Sequence, residues 1–157
     1  MNNYICLRIN KLLVLFTTLF ICGTSMAQIK TWTQVVQEVE PGIETMSPEI
    51  LKNKLDRKEN LLLIDVRTEE EFKSGHITRA LWIPRGRLES GILQVTQDPQ
   101  TEIIVYCGSG KRATIAAASL MNMGYKNVYN LTGGIKGWMN AGYMISNSLG
   151  KFRLAVE

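Results

Sequence analysis

Cysteine is scarce in this chain, three among 157 residues, and two of the three fall within the first 27. Removal of that leader would leave Cys107 alone, and no intramolecular disulfide would then be possible. A lone thiol in an exported protein is either buried and inert or kept for chemistry. Acidic residues are missing from the leader, and no basic run occurs in the chain. The second absence removes the electrostatic support for nucleic-acid binding. Glycine and proline, at 13 and four, are ordinary and exclude low complexity, and no internal repeat is visible. What remains is 45% hydrophobic and 20% charged, the composition of a globular protein with room for one domain or two very small ones.

The leader itself is patterned. Arg8 and Lys11 precede the apolar run from Leu12 to Cys22, and Ser25-Met26-Ala27 forms a small-x-small site. This order is that of a secretory signal peptide cleaved after Ala27. The run is short for a membrane span, and no cationic stop-transfer cluster follows it. A lipid anchor on Cys22 is disfavoured because Ile21 is bulky for the position before a lipidated cysteine. The expected location is therefore exported, periplasmic or secreted, with no membrane contact after cleavage. In residues 28–157, 16 basic residues face 14 acids, a net charge of +2.

Downstream, strands alternate with helices. Ser47-Pro48-Glu49 starts a helix with Ser47 as N-cap and Pro48 at the first helical position. Leu61 to Ile64 is a short apolar run ending at Asp65, the pattern of a buried parallel strand. Thr68 with Glu71 forms a capping box. Ala80–Ile83, Glu102–Tyr106 and Asn127–Leu131 read as strands, and a long helix runs from about Lys111 to Met123. Val35, Val36 and Val39 share one face of a short helix before the Pro41-Gly42 break. The pattern predicts an α/β fold: a central, mostly parallel sheet of about five strands with helices on both faces.

The chemistry concentrates at Cys107-Gly108-Ser109-Gly110-Lys111-Arg112. The cysteine ends a strand, where open α/β sheets bind ligands. It also opens a helix, whose first N–H groups lack partners and carry the positive end of the dipole. With Lys111 and Arg112 alongside, these effects favour thiolate over thiol. Gly108 and Gly110 let the backbone curl with its N–H groups inward, so the loop cradles an anion held on the sulfur. A P-loop is excluded, since Val105 stands where its first glycine is needed and Arg112 follows Lys111. Gly110 in place of a second cysteine excludes a thioredoxin-like pair.

At these residues the chain resembles the rhodanese family of sulfurtransferases, from about Ser47 to Gly142. The resemblance rests on Leu63-Ile64-Asp65-Val66-Arg67, on Glu71-Phe72-x-x-Gly75-His76-Ile77, and on Ala80 with Ile83-Pro84. It extends through Cys107-x-x-Gly110-x-Arg112, Gly124-Tyr125-x-Asn127-Val128 and Gly133-Gly134-Ile135-x-x-Trp138. With the leader set at 1–27 by its own pattern, it implies an extension over 28–44, a rhodanese domain over 45–145 and a tail over 146–157. It further implies that Cys107 forms a persulfide, that the N–H groups from Gly108 to Arg112 hold the outer sulfur, and that Arg112 holds the anionic donor or the loop. Thiosulfate is the kind of donor implied, with cyanide or an external thiol or protein as acceptor. Neither metal nor cofactor is required. Asp65, Arg67 and Glu71 are expected to form an ion-pair network fixing the loops, and His76 to serve a structural turn.

Two residues depart from the family pattern. Arg79 stands where glycine is usual and Trp82 where a small polar residue is usual, both expected near the carboxyl edge. Two other functions compete: a non-catalytic rhodanese-like binding module, and a phosphatase or arsenate reductase of related fold. Against the latter, four residues separate Cys107 from Arg112 where the phosphatases have five, and no acid lies in or directly beside the loop in sequence.

Overall fold

The computed structural model describes residues 28–153; the leader with its cleavage site and the last four residues lie outside the described residues. Five parallel strands form one sheet in the order β1-β5-β4-β2-β3, from β1 (Glu44–Met46), β2 (Leu62–Asp65), β3 (Leu81–Trp82), β4 (Glu102–Tyr106) and β5 (Asn127–Leu131). The strand that precedes Cys107, β4, is the middle one. Parallel strands need crossover connections, and helices supply them: α2 (Pro48–Asp56), α3 (Glu69–Ser74), α4 (Leu88–Ile92) and α5 (Lys111–Asn122). Before the sheet lies α1 (Trp32–Val39), and after it α6 (Gly134–Asn140). The expected α/β architecture is the one observed.

Alternation along β4 sorts the core into two layers. Ile103, Val105 and Cys107 face one side, packed with Leu88 and Ile92 of α4 and with Ala113, Ala116, Ala117 and Leu120 of α5. Ile104 and Tyr106 face the other, packed with Leu51 of α2 and with Ile135 and Trp138 of α6. The small side chains of α5 let that helix sit close over the sheet. Residues before β1, set apart in sequence as an extension, form α1, which packs against α5. An antiparallel hairpin, β6 (Ile145–Asn147) with β7 (Gly150–Phe152), runs from the last residue assigned to the domain into the assigned tail, and Ser146 pairs with His76 through two backbone bonds. The short helix read from Val35, Val36 and Val39 is present, whereas the hairpin is short and half-exposed, so its apolar pattern is weak in sequence.

Arg79 does not sit at the carboxyl edge. It lies just before β3, and its guanidinium donates to the Glu59 carbonyl ahead of β2, at the amino edge of the sheet. Its φ of 75° is left-handed, so this arginine keeps the backbone conformation that glycine adopts without steric cost. Trp82 lies at the carboxyl edge as expected, ending β3 opposite Asp65 and donating its indole N–H to the Arg67 carbonyl at 3.1 Å.

Candidate active site

The Cys107 loop is held from behind by α6. Ile135 N–H donates to the Cys107 carbonyl at 2.8 Å and Lys136 N–H to the Gly108 carbonyl at 3.2 Å. These bonds turn two loop carbonyls away from the sulfur. Only glycine permits the approach: a Cβ on Gly134 would stand 2.4 Å from the Cys107 carbonyl oxygen, and its φ is 58°. The Gly133-Gly134 pair read from sequence thus has a steric cause.

Gly110 does the complementary work. Its φ of 100° aims its N–H at Cys107 Sγ, 3.2 Å away. Its carbonyl, turned outward, receives the Thr114 N–H at 2.8 Å, the Thr114 hydroxyl at 3.2 Å and the Asn130 amide at 3.2 Å. Asn130 also donates to Thr114 Oγ1 at 3.0 Å, while its own Oδ1 is buried without a partner. An orphaned buried oxygen costs about 1–3 kcal/mol. The motifs do not single out Asn130; its signal is a polar residue inside an otherwise buried strand. The helix start at Gly110 has no side-chain cap, which leaves its first N–H groups free for a ligand. Cys107 is 1% exposed, Ser109 and Lys111 are exposed, and Arg112 is intermediate.

The predicted ion-pair network exists as two separate pairs. Arg67 grips the fully buried Asp65 through Nε and Nη2, at 3.0 and 2.7 Å, and its Nη2 also reaches the Gly75 carbonyl at 2.7 Å. The other pair is nearer the thiol. Arg112 places Nη1 and Nη2 on the two oxygens of Glu71, both at 2.8 Å. The guanidinium holds Glu71 down at about 2, and Glu71 in turn raises Arg112. A Cβ on Gly108 would lie 4.0 Å from Glu71 Oε1, so a carboxylate does stand beside the loop. Sequence reasoning placed none there because Glu71 is 41 residues from Arg112.

His76 is brought to a different task. Its ring stacks on Phe72 at 3.9 Å, and Nδ1 lies 3.0 Å from the Phe72 carbonyl. Tyr106 is fully buried, and its hydroxyl accepts the Ile77 N–H at 3.1 Å, tying the Gly75-His76-Ile77 turn to the strand that carries Cys107. Burial, with Asp65 nearby, pushes the Tyr106 phenol up, so it stays protonated. Among the described residues no group of His, Cys, Asp and Glu could hold a metal ion, and no helix is long and apolar enough to cross a membrane.

The family profile described as Rhodanese-like domain matches residues 47–141. A sulfurtransferase from Allochromatium vinosum is 35% identical over 103 residues, which cover 66% of this chain and 94% of that one. The thiosulfate sulfurtransferase of Pseudomonas aeruginosa superposes with a TM-score of 0.69 at 25% identity, over 80% of this chain and 25% of the other. A Rhodopseudomonas palustris protein of unknown function, described as a possible tyrosine phosphatase, superposes with a TM-score of 0.67 at 25% identity, over 79% of this chain and all of that one. The chain spans about half the length of another relative, YrkF of Bacillus subtilis, at 34% identity.

Proposed function

The chain belongs to the rhodanese-like domain family, among sulfurtransferases, and from that premise we propose that it carries sulfane sulfur on Cys107. The observation that carries this reading is the sulfur's setting: Sγ lies under the Gly110 N–H at the uncapped start of α5, with both neighbouring loop carbonyls turned back onto α6. The loop thus offers the sulfur a backbone donor and keeps two of its carbonyl acceptors occupied elsewhere.

The cycle has two displacements. The Cys107 thiolate attacks the outer sulfur of a small anionic donor such as thiosulfate. A bond forms between Sγ and that sulfur, the donor's S–S bond breaks, and sulfite leaves with the electron pair. The persulfide anion then rests against the loop N–H groups. An external nucleophile, cyanide or a thiol of a small molecule or partner protein, attacks the outer sulfur and restores the thiolate. The cycle as written uses no metal and no organic cofactor. Gly108 to Lys111 supply the cradle. Arg112, with both terminal nitrogens on Glu71, holds the loop to α3, while Asp65, Arg67 and His76 hold the surrounding turns. The leader pattern supports action outside the cytoplasm, in the periplasm or beyond it.

Phosphate-ester cleavage is disfavoured by the same geometry. A leaving alcohol needs a proton, and Glu71, held at about 2 by Arg112, has none to give near neutral pH. Incubation of the protein with thiosulfate is expected to add one sulfur to Cys107 by intact mass, and cyanide to remove it. Cys107→Ser should abolish both. Transfer at the wild-type level in that variant would overturn the reading, and a chain that folds yet never takes up sulfur would be a binding module.

A further inference from the structure

A second cavity, of about 400 Å³, lies between α2, the Ile77–Arg79 turn, the segment after α6 and the end of the hairpin. No residue of the 107–112 loop lines it. One wall is aromatic: the Trp138 and Tyr143 rings are 4.8 Å apart and tilted by 52°. Trp138 is itself buried at 3% exposure, with its indole N–H spent on the Met144 carbonyl at 3.0 Å, so the face this wall offers is mainly that of the half-buried Tyr143 ring. The half-buried Leu55 extends it, and the fully buried Ile77 backs it.

The charged part of the lining is cationic except for Asp56. Lys52 lies 5.9 Å from the centre of the Tyr143 ring and is neutralised by Asp56. Arg79, Lys151 and Arg153 also line the cavity, and none has a carboxylate partner among the described residues. Three uncompensated positive charges around one cavity repel each other, and an anion seated between them relieves that repulsion.

We propose that this cavity is a binding site for a small organic anion with a flat apolar body, distinct from the sulfur-transfer site. The chemistry of the walls selects this class. A bare inorganic anion leaves the aromatic surface unused, and a neutral aromatic leaves the cations unpaired. The volume is of the order that small-molecule sites occupy, whereas protein partners need broad surfaces. A donor as small and polar as thiosulfate has no apolar body to match Tyr143 and Leu55.

The test uses 1-anilinonaphthalene-8-sulfonate, an aromatic sulfonate, beside its uncharged analogue N-phenyl-1-naphthylamine, each titrated into the full protein by fluorescence. The sulfonate should bind saturably at one site. The pair Lys151→Glu and Arg153→Glu, both exposed residues, should weaken it about tenfold while leaving the melting temperature in place. The neutral analogue should bind more weakly and ignore the reversal. Cys107→Ser should leave sulfonate binding unchanged, which separates this site from the transfer reaction. Absence of saturation, equal affinity in the charge-reversed protein, or loss of binding in Cys107→Ser would each overturn the proposal.

Discussion

Helices α2, α3 and α5 each begin just past the carboxyl end of a parallel strand, after β1, β2 and β4. Their dipoles point the same way, yet their starts differ. The Ser47 hydroxyl accepts the Ile50 N–H at 3.3 Å, and Thr68 with Glu71 forms a complete capping box. The start of α5 is Gly110, with no side chain to offer. Where a hydroxyl closes the helix the N–H groups are spent on stability; where glycine opens it they remain available to an anion. Of the three, only the open start carries a thiol at the end of the preceding strand. On the proposed function, the sulfur site is marked by what is withheld from one helix, more than by what is added.

The comparison breaks hardest at Gly134. Gly134→Ala would drive a Cβ into the Cys107 carbonyl and force the loop outward. Sulfur transfer should fall about a hundredfold, since displacements of that size undo alignment at a reacting atom. Near-normal rates would show that α6 does not set the cradle. Gly110→Ser attempts to close α5 as Ser47 closes α2. The space exists, with the nearest contact at 3.6 Å, but φ is 100°. The substitution should cost about 1–2 kcal/mol of stability in a denaturant titration, and transfer should drop as the peptide rotates its N–H off Sγ.

Acid probes the link between the closed start of α3 and the open start of α5, because Glu71 serves both. Its folded value, about 2, lies below the ordinary 4.5. Its contribution is therefore complete above pH 4.5 and is lost as pH falls through 2. The side chain is 36% exposed, so solvent screening leaves about 1 kcal/mol. Glu71→Gln should flatten that part of the acid limb in thermal melts, and an unchanged limb would sever the link. The smallest effect belongs to Ser47→Ala. It should lower stability by about 1 kcal/mol and leave transfer per folded molecule untouched. A loss of transfer would mean that the closed helices share in the chemistry.

Sequence reading went furthest where the signal is local. The run Glu102–Tyr106, the glycines after Cys107 and the Thr68–Glu71 capping box each declare themselves within a few residues. It fell short where a partner is distant. The Glu71–Arg112 pair, the Asn130 clamp on Gly110 and the pairing of Ser146 with His76 join segments many residues apart, and no spacing rule brings them together. Arg79 shows a third case: its left-handed backbone is a property of the turn, and the side chain that occupies it gives no hint of it.

At 1% exposure the bare Cys107 sulfur is shielded from bulky thiols and alkylating agents. A bound sulfur extends the chain of atoms by about 2 Å, the length of an S–S bond, and carries the reactive centre toward the rim. If Cys107 carries sulfur as proposed, the empty protein presents almost no accessible sulfur and the loaded one does, so a partner can tell the two apart by contact, with no change of fold.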